Sequence, residues 1–134
     1  MFSIMLVDDQ PAILAGMASL VESTGIARVV ATETDGDAAI ETAIELHPDL
    51  ILLDVSLGSI SGVDIAQRLI SRWPEARVLA VSAHANSVYV RGMINAGAAG
   101  YMLKDNGPRE ISDAIDTIMN GGQWIGEGLE LDPL

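Results

Sequence analysis

The stretch Leu50-Ile51-Leu52-Leu53-Asp54 decides the reading of this chain: an unbroken aliphatic run that ends on a carboxylate. Pro48-Asp49 precedes it and a glycine-bounded segment, Gly58 to Gly62, follows it. A short apolar run between turn signals reads as a strand buried on both faces. Three further runs repeat the arrangement. Ile4-Met5-Leu6-Val7 leads into Asp8 and Asp9, Val78-Leu79-Ala80-Val81 into Ser82, and Tyr101-Met102-Leu103 into Lys104. If these strands are parallel neighbours, three carboxylates, a hydroxyl and an ammonium meet at one edge of one sheet. Clustered carboxylates repel one another, and a hard divalent cation with oxygen ligands relieves that repulsion. A carboxylate, a metal and a lysine together suit phosphoryl transfer.

Working outward, strand and helix patterns alternate five times. Strands are expected at 3–7, 28–32, 50–53, 77–81 and 100–103. Pro11 fits a first helical position, capped by Asp9 or Gln10. Ile13, Leu14, Met17, Leu20 and Val21 then follow helical spacing, and Gly25 ends that helix. Asp35 to Asp37 turns the chain into a second helix. Ser61, three residues before Asp64, resembles a capping box at the head of a third, which Pro74 stops. Asn86 or Ser87 starts a fourth. Asn106-Gly107-Pro108 opens a fifth, and Gly121-Gly122 closes it. Such alternation gives a parallel sheet with helices on both faces. Right-handed crossovers make it a doubly wound α/β sandwich, whose sites lie outside the carboxyl ends of the strands. The segment 125–134 reads as a linker or tail behind a single domain at 1–124.

Composition narrows the classes. The chain has 134 residues, with 19 acids against 7 bases and a formal net charge of -12. That charge argues against direct binding to nucleic acid or to an anionic membrane. There is no cysteine, which excludes disulfides and thiolate metal sites. No apolar stretch approaches a membrane span, and the start Met1-Phe2-Ser3 lacks a basic leader. A cytoplasmic location is the expectation.

The segments Leu6-Val7-Asp8-Asp9, Leu52-Leu53-Asp54, Val81-Ser82 and 96–105 together resemble a response-regulator receiver domain, the CheY-like family. Within it the nearest look is the LuxR/NarL type of two-component transcriptional regulator. The resemblance covers residues 2–124. It implies a flavodoxin-like sheet of five parallel strands, in the order 2-1-3-4-5, with five helices. It implies that Asp54 accepts a phosphoryl group from a sensor histidine kinase. Asp8, Asp9, Asp54 and the backbone carbonyl of Ser56 then hold Mg²⁺. Ser82 and Lys104 contact the phosphoryl oxygens. Tyr101 is implied as a switch whose ring swings inward from the surface when Ser82 moves. The response is expected on the face built by the fourth helix, fifth strand and fifth helix. It would control an effector, such as the protein's own DNA-binding output domain, or a phosphorylation-dependent homodimer. On that reading the chain is a signalling domain and not an enzyme, beyond gaining and losing its own phosphoryl group.

Two positions depart from the pattern. Gln10 stands where LuxR-type relatives often have His, and Gly58 where most receivers have Pro. Ser56 and His84 flank the site.

Other classes fit less well. An aspartate-nucleophile phosphatase needs a second acid two residues after the nucleophile, where this chain has Ser56. A flavin-binding module of the same fold would place a phosphate against Asp8-Asp9, which repel it. A receiver that acts through protein contacts without phosphorylation would not need the complete residue set. Singly, each residue has an ordinary explanation: a helix cap, a turn, a strand-end hydroxyl, a solvated ion pair. Their joint position at strand ends carries the reading.

Overall fold

A computed structural model describes residues 1–129. The elements are β1 (Phe2–Val7), α1 (Pro11–Ser23), β2 (Ala27–Glu33), α2 (Gly36–Leu46), β3 (Leu50–Asp54), β4 (Ser56–Leu57), β5 (Ile60–Ser61), α3 (Gly62–Arg72), β6 (Val78–Ser82), α4 (Ser87–Asn95), β7 (Gly100–Leu103), α5 (Gly107–Met119) and β8 (Trp124–Ile125). A single 3-10 turn, Lys104–Asn106, joins β7 to α5. The main sheet has the order β2-β1-β3-β6-β7-β8, and its strand pairs are all parallel.

The sheet is two-faced in the manner its apolar runs require. Along each strand, alternate residues enter opposite layers. Met5, Val7, Ile51, Leu53, Val78, Ala80 and Tyr101 share one core with Ile40, Ile65, Leu69, Val90 and Met93. Ile4, Leu6, Leu50, Leu52, Leu79, Val81 and Met102 share the other with Leu14, Val21, Ile111, Ile115 and Ile118. Helices α2, α3 and α4 therefore cover one face, and α1 and α5 the other.

The expected flavodoxin-like order of five strands holds, and the sheet adds a sixth. Trp124–Ile125 pairs with Gly100 and Tyr101 of β7, where the sequence reading places the start of a linker. Its partners explain why it is a strand. Trp124 donates its backbone N–H to Ala99 (3.1 Å), and Gly126 donates to the Tyr101 carbonyl (2.9 Å). Glu110 is buried and takes the Trp124 indole N–H (3.2 Å) and the Glu127 backbone N–H (3.0 Å) on its two oxygens. Packing of the chain therefore continues beyond residue 124. The rest of the expected tail, 130–134, lies outside the described residues.

A second difference sits beside Asp54. The segment 58–62, whose bounding glycines read as a loop in the sequence, supplies the turn and second strand of a small antiparallel hairpin, β4–β5, pairing Ser56 with Ser61 and Leu57 with Ile60. Gly58 has φ +67 at the first central position of that two-residue turn, a left-handed conformation that proline's ring forbids. The departure from Pro at this position is thus matched by a specific turn.

Candidate functional site

The strand order reverses direction between β1 and β3, and that is where the acids gather. Asp8 and Asp9 follow the end of β1, and Asp54 ends β3. Open sheets form a crevice at such a switch point, outside the carboxyl ends. One carboxylate oxygen from each of the three lies within 4.8 Å of the others. Asp8 and Asp54 are buried while Asp9 is exposed.

Each buried acid is held at one oxygen. Asp8 Oδ1 accepts the backbone N–H of Gln10 (3.0 Å). Asp54 Oδ1 accepts that of Ser56 (3.2 Å). Gln10 is the N-cap residue of α1, but its side chain makes no capping bond. Asp8 fixes the entry to the helix, and the residues expected as caps do not.

Lys104 spans the pair. Its Nζ lies 2.9 Å from Asp8 Oδ2 and 3.2 Å from Asp54 Oδ2. Burial pushes the Asp54 carboxyl above its ordinary pKa, and the neighbouring charge of Asp8 adds to that rise. The Ser56 N–H and Lys104 offset part of it. For Lys104, burial alone would lower the pKa, but the bond to Asp8 and the charge of Asp54 together win and raise it.

The remaining wall of the cleft is polar. Asp9, Gln10, Ser56, Gly58, Ala83, His84 and Lys104 line an open hollow of about 270 Å³ over Asp54. Ser82 is buried at the end of β6, and its Oγ accepts the His84 backbone N–H (2.9 Å). The Tyr101 hydroxyl donates to the His84 carbonyl (2.8 Å). Burial raises the Tyr101 pKa, and the nearby Ser82 hydroxyl holds part of the rise back.

The structure thus brings Asp8, Asp9, Asp54, Ser56, Ser82 and Lys104 to one edge. Tyr101 occupies the inward position of that expected switch: its ring is fully buried and its hydroxyl donates to the His84 carbonyl. The residue belongs to the strand parity that faces the α3–α4 layer, and the His84 carbonyl satisfies its polar end there.

Sequence reasoning missed Gly62 as part of the site. A Cβ there would stand 2.2 Å from the Asp54 carbonyl oxygen and 2.8 Å from the Val55 Cα. Its N–H donates to the Val55 carbonyl (2.7 Å), so the start of α3 is pressed against the backbone that carries Asp54. Nothing in the sequence separates this glycine from an ordinary loop glycine. Gly92 likewise answers to packing: a Cβ on it would meet Val63 of α3 at 3.3 Å.

The family model described as the response regulator receiver domain matches residues 4–116. The chain belongs to that family. Among curated relatives, the nitrate/nitrite response regulator protein homolog of Haemophilus influenzae is 36% identical over 95% of this receiver and 61% of its own length. Among solved structures, a LuxR-family two-component response regulator from Aurantimonas sp. has a TM-score of 0.88 at 31% identity, covering 92% of this chain and 88% of that one. The signal receiver domain of the putative response regulator NarL from Mycobacterium tuberculosis gives 0.83 at 32% identity, covering 90% and 97%. The receiver spans 59%, 52% and 57% of three further curated transcriptional regulators that it matches. Receiver domains of this family are signalling modules of two-component systems.

Proposed function

We propose that Asp54 is the phosphoacceptor of this receiver, and that the phosphoryl group comes from a phosphohistidine on a sensor kinase. The observation that carries the proposal is a buried aspartate bridged to a second acid by one lysine, open to a polar cleft. In the transfer, an Asp54 oxygen forms a bond to phosphorus and the P–N bond of the donor breaks. The imidazole leaves with that electron pair. Two anionic partners must approach, so positive charge has to be in place beforehand.

Lys104 supplies one such charge, already within bonding distance of Asp54 Oδ2. The three-acid set fits Mg²⁺, which takes few carboxylates and keeps several waters. Asp8, Asp9, Asp54 and the Ser56 carbonyl would hold it. Bound there, Mg²⁺ would neutralise charge on the phosphoryl oxygens. Asp8 also keeps Lys104 aligned. Ser82 would offer its hydroxyl to a phosphoryl oxygen, and Lys104 would pair with another.

The response would reach the face of α4, β7 and α5, and through it an effector. The curated relatives are transcriptional regulators, so a DNA-binding output domain is the effector this reading favours, with homodimer formation as a second outlet. Cytoplasmic placement follows from the same reading. Among the described residues, no helix is long and apolar enough to cross a membrane.

Intact mass after treatment with acetyl phosphate and Mg²⁺ tests the acceptor. The expected result is a gain of one phosphoryl group in the wild type and none in Asp54→Asn. Uptake by Asp54→Asn would overturn the assignment.

A further inference from the structure

His84 lies two residues beyond Ser82, outside any helix or strand, and engages three partners in three directions. Its backbone N–H donates to Ser82 Oγ at 2.9 Å. Its carbonyl accepts the Tyr101 hydroxyl at 2.8 Å. Its imidazole stacks on the Tyr89 ring, with centroids 4.6 Å apart and planes inclined by 20°. Tyr89 sits in the first turn of α4, beside Val88, which is 73% exposed. One loop residue therefore joins the end of β6, the side chain of β7 and the outer surface of α4.

These contacts cannot move independently. The Ser82 oxygen now serves as an acceptor for His84. A phosphoryl group offers only acceptor oxygens, so it would draw the Ser82 hydroxyl toward itself as a donor. The hydroxyl can donate and accept at once, but moving Oγ toward that group lengthens its bond from the His84 N–H. That peptide belongs to the residue whose ring lies on Tyr89. Tyr101 is already buried and bonded, so it holds the carbonyl side of the same residue in place. What remains free to shift is the exposed side of the 83–84 segment, with the imidazole on it.

We propose that His84 is a positioning residue that passes a displacement of Ser82 to the surface of α4 through its stack on Tyr89. This rests on Asp54 as the phosphoacceptor. It places the output at the first turn of α4, where Val88 and Tyr89 are exposed. A single aromatic stack is a modest interaction, so the coupling should be several-fold and not absolute.

The test uses the whole chain with Mg²⁺ and beryllofluoride, read by hydrogen exchange. Wild type should gain protection in the loops around Asp54 and change its exchange at 87–95. Tyr89→Ala touches nothing at Asp54 and should keep the first response while losing the second by threefold or more. Tyr89→Phe and His84→Phe both keep a stacked pair of rings and should retain it. If Tyr89→Ala weakens the resting helix, seen as faster exchange at 87–95 without beryllofluoride, His84→Ala removes the same stack from the loop side and must show the same loss. An undiminished α4 response in the alanine variants overturns the relay, as does failure of the phenylalanine variants to rescue it. If the wild-type loops around Asp54 stay unchanged, the phosphoacceptor reading itself is wrong, and the relay falls with it. A wild-type response confined to those loops overturns the relay alone.

Discussion

At the scale of single residues, Asp54 is caught between burial and use. Its carboxyl is pushed up by burial first and by Asp8 next, against the Ser56 N–H and Lys104. An acid whose folded pKa is raised stabilises the fold fully below its ordinary value, here 3.8, and loses that contribution as pH rises through the raised value. In EDTA, therefore, ionising Asp54 should weaken the wild type as pH climbs out of the acid range. Asp54→Asn should be the more stable of the two at neutral pH, with the advantage shrinking toward pH 4. Urea unfolding of both proteins across that range checks the sign. Lys104 works in the opposite sense, because its raised pKa keeps the ammonium charged and between two acids. Lys104→Ala should still fold and bind Mg²⁺ at least as well, having lost a competing cation. It should also lose the response to phosphorylation. Unfolding of that variant under mild conditions would make Lys104 a structural residue. Gly62 sets a steric limit on the same site. A methyl group there meets backbone, so Gly62→Ala should cost about 1–3 kcal/mol and reduce acetyl phosphate uptake, measured by urea unfolding and intact mass.

At the scale of elements, what the sequence disclosed follows from how local each signal is. β3 is legible because four consecutive aliphatic residues between turn signals read 50–53 as a buried strand, which the structure extends to Asp54. The polar residue after each run is legible for the same reason, since a carboxylate directly beyond a buried strand has to lie at the sheet edge. β8 is illegible because it is only two residues long and takes its order from distant partners. Glu110 on α5 supplies both carboxylate oxygens, and Gly100 lets the strands close, since a Cβ there would stand 2.7 Å from the Trp124 carbonyl oxygen. The hairpin β4–β5 is hidden likewise, because Gly58 signals a turn without saying that the flanks pair. The buried position of Tyr101 depends on a carbonyl in another loop, which no periodicity reports. The dependence of β8 on Glu110 gives a test. Glu110→Ala leaves two donors without their acceptor and should destabilise the protein by about 1–3 kcal/mol. Exchange should rise at 124–127 well before it rises at 50–54. Equal loss in both places would mean that Glu110 supports α5 and not the added strand.

At the scale of the whole molecule, an excess of acid surrounds a site that needs positive charge. The formal charge of -12 repels itself at low salt, and part of that repulsion is concentrated where Asp8, Asp9 and Asp54 converge. Ordinary salt and a bound divalent ion should relieve different portions of it. Sodium chloride screens exposed charges over roughly 10 Å at 0.1 M, and it acts less on the buried pair Asp8–Asp54. A divalent ion in the cleft reaches that pair directly and binds only the folded chain. Mass action then adds about 2.7 kcal/mol at a concentration 100 times Kd. Millimolar Mg²⁺ should therefore raise Tm by several degrees beyond any rise produced by sodium chloride of equal ionic strength. Asp9 is exposed, so Asp9→Ala should leave the core intact and keep the response to sodium chloride. It should lose most of the response to Mg²⁺, because one of three carboxylate ligands is gone. Melting curves of both proteins in the two salts separate the effects. An equal Mg²⁺ shift in Asp9→Ala, or no shift in the wild type beyond the sodium chloride control, would mean that the acids do not act together as a metal site.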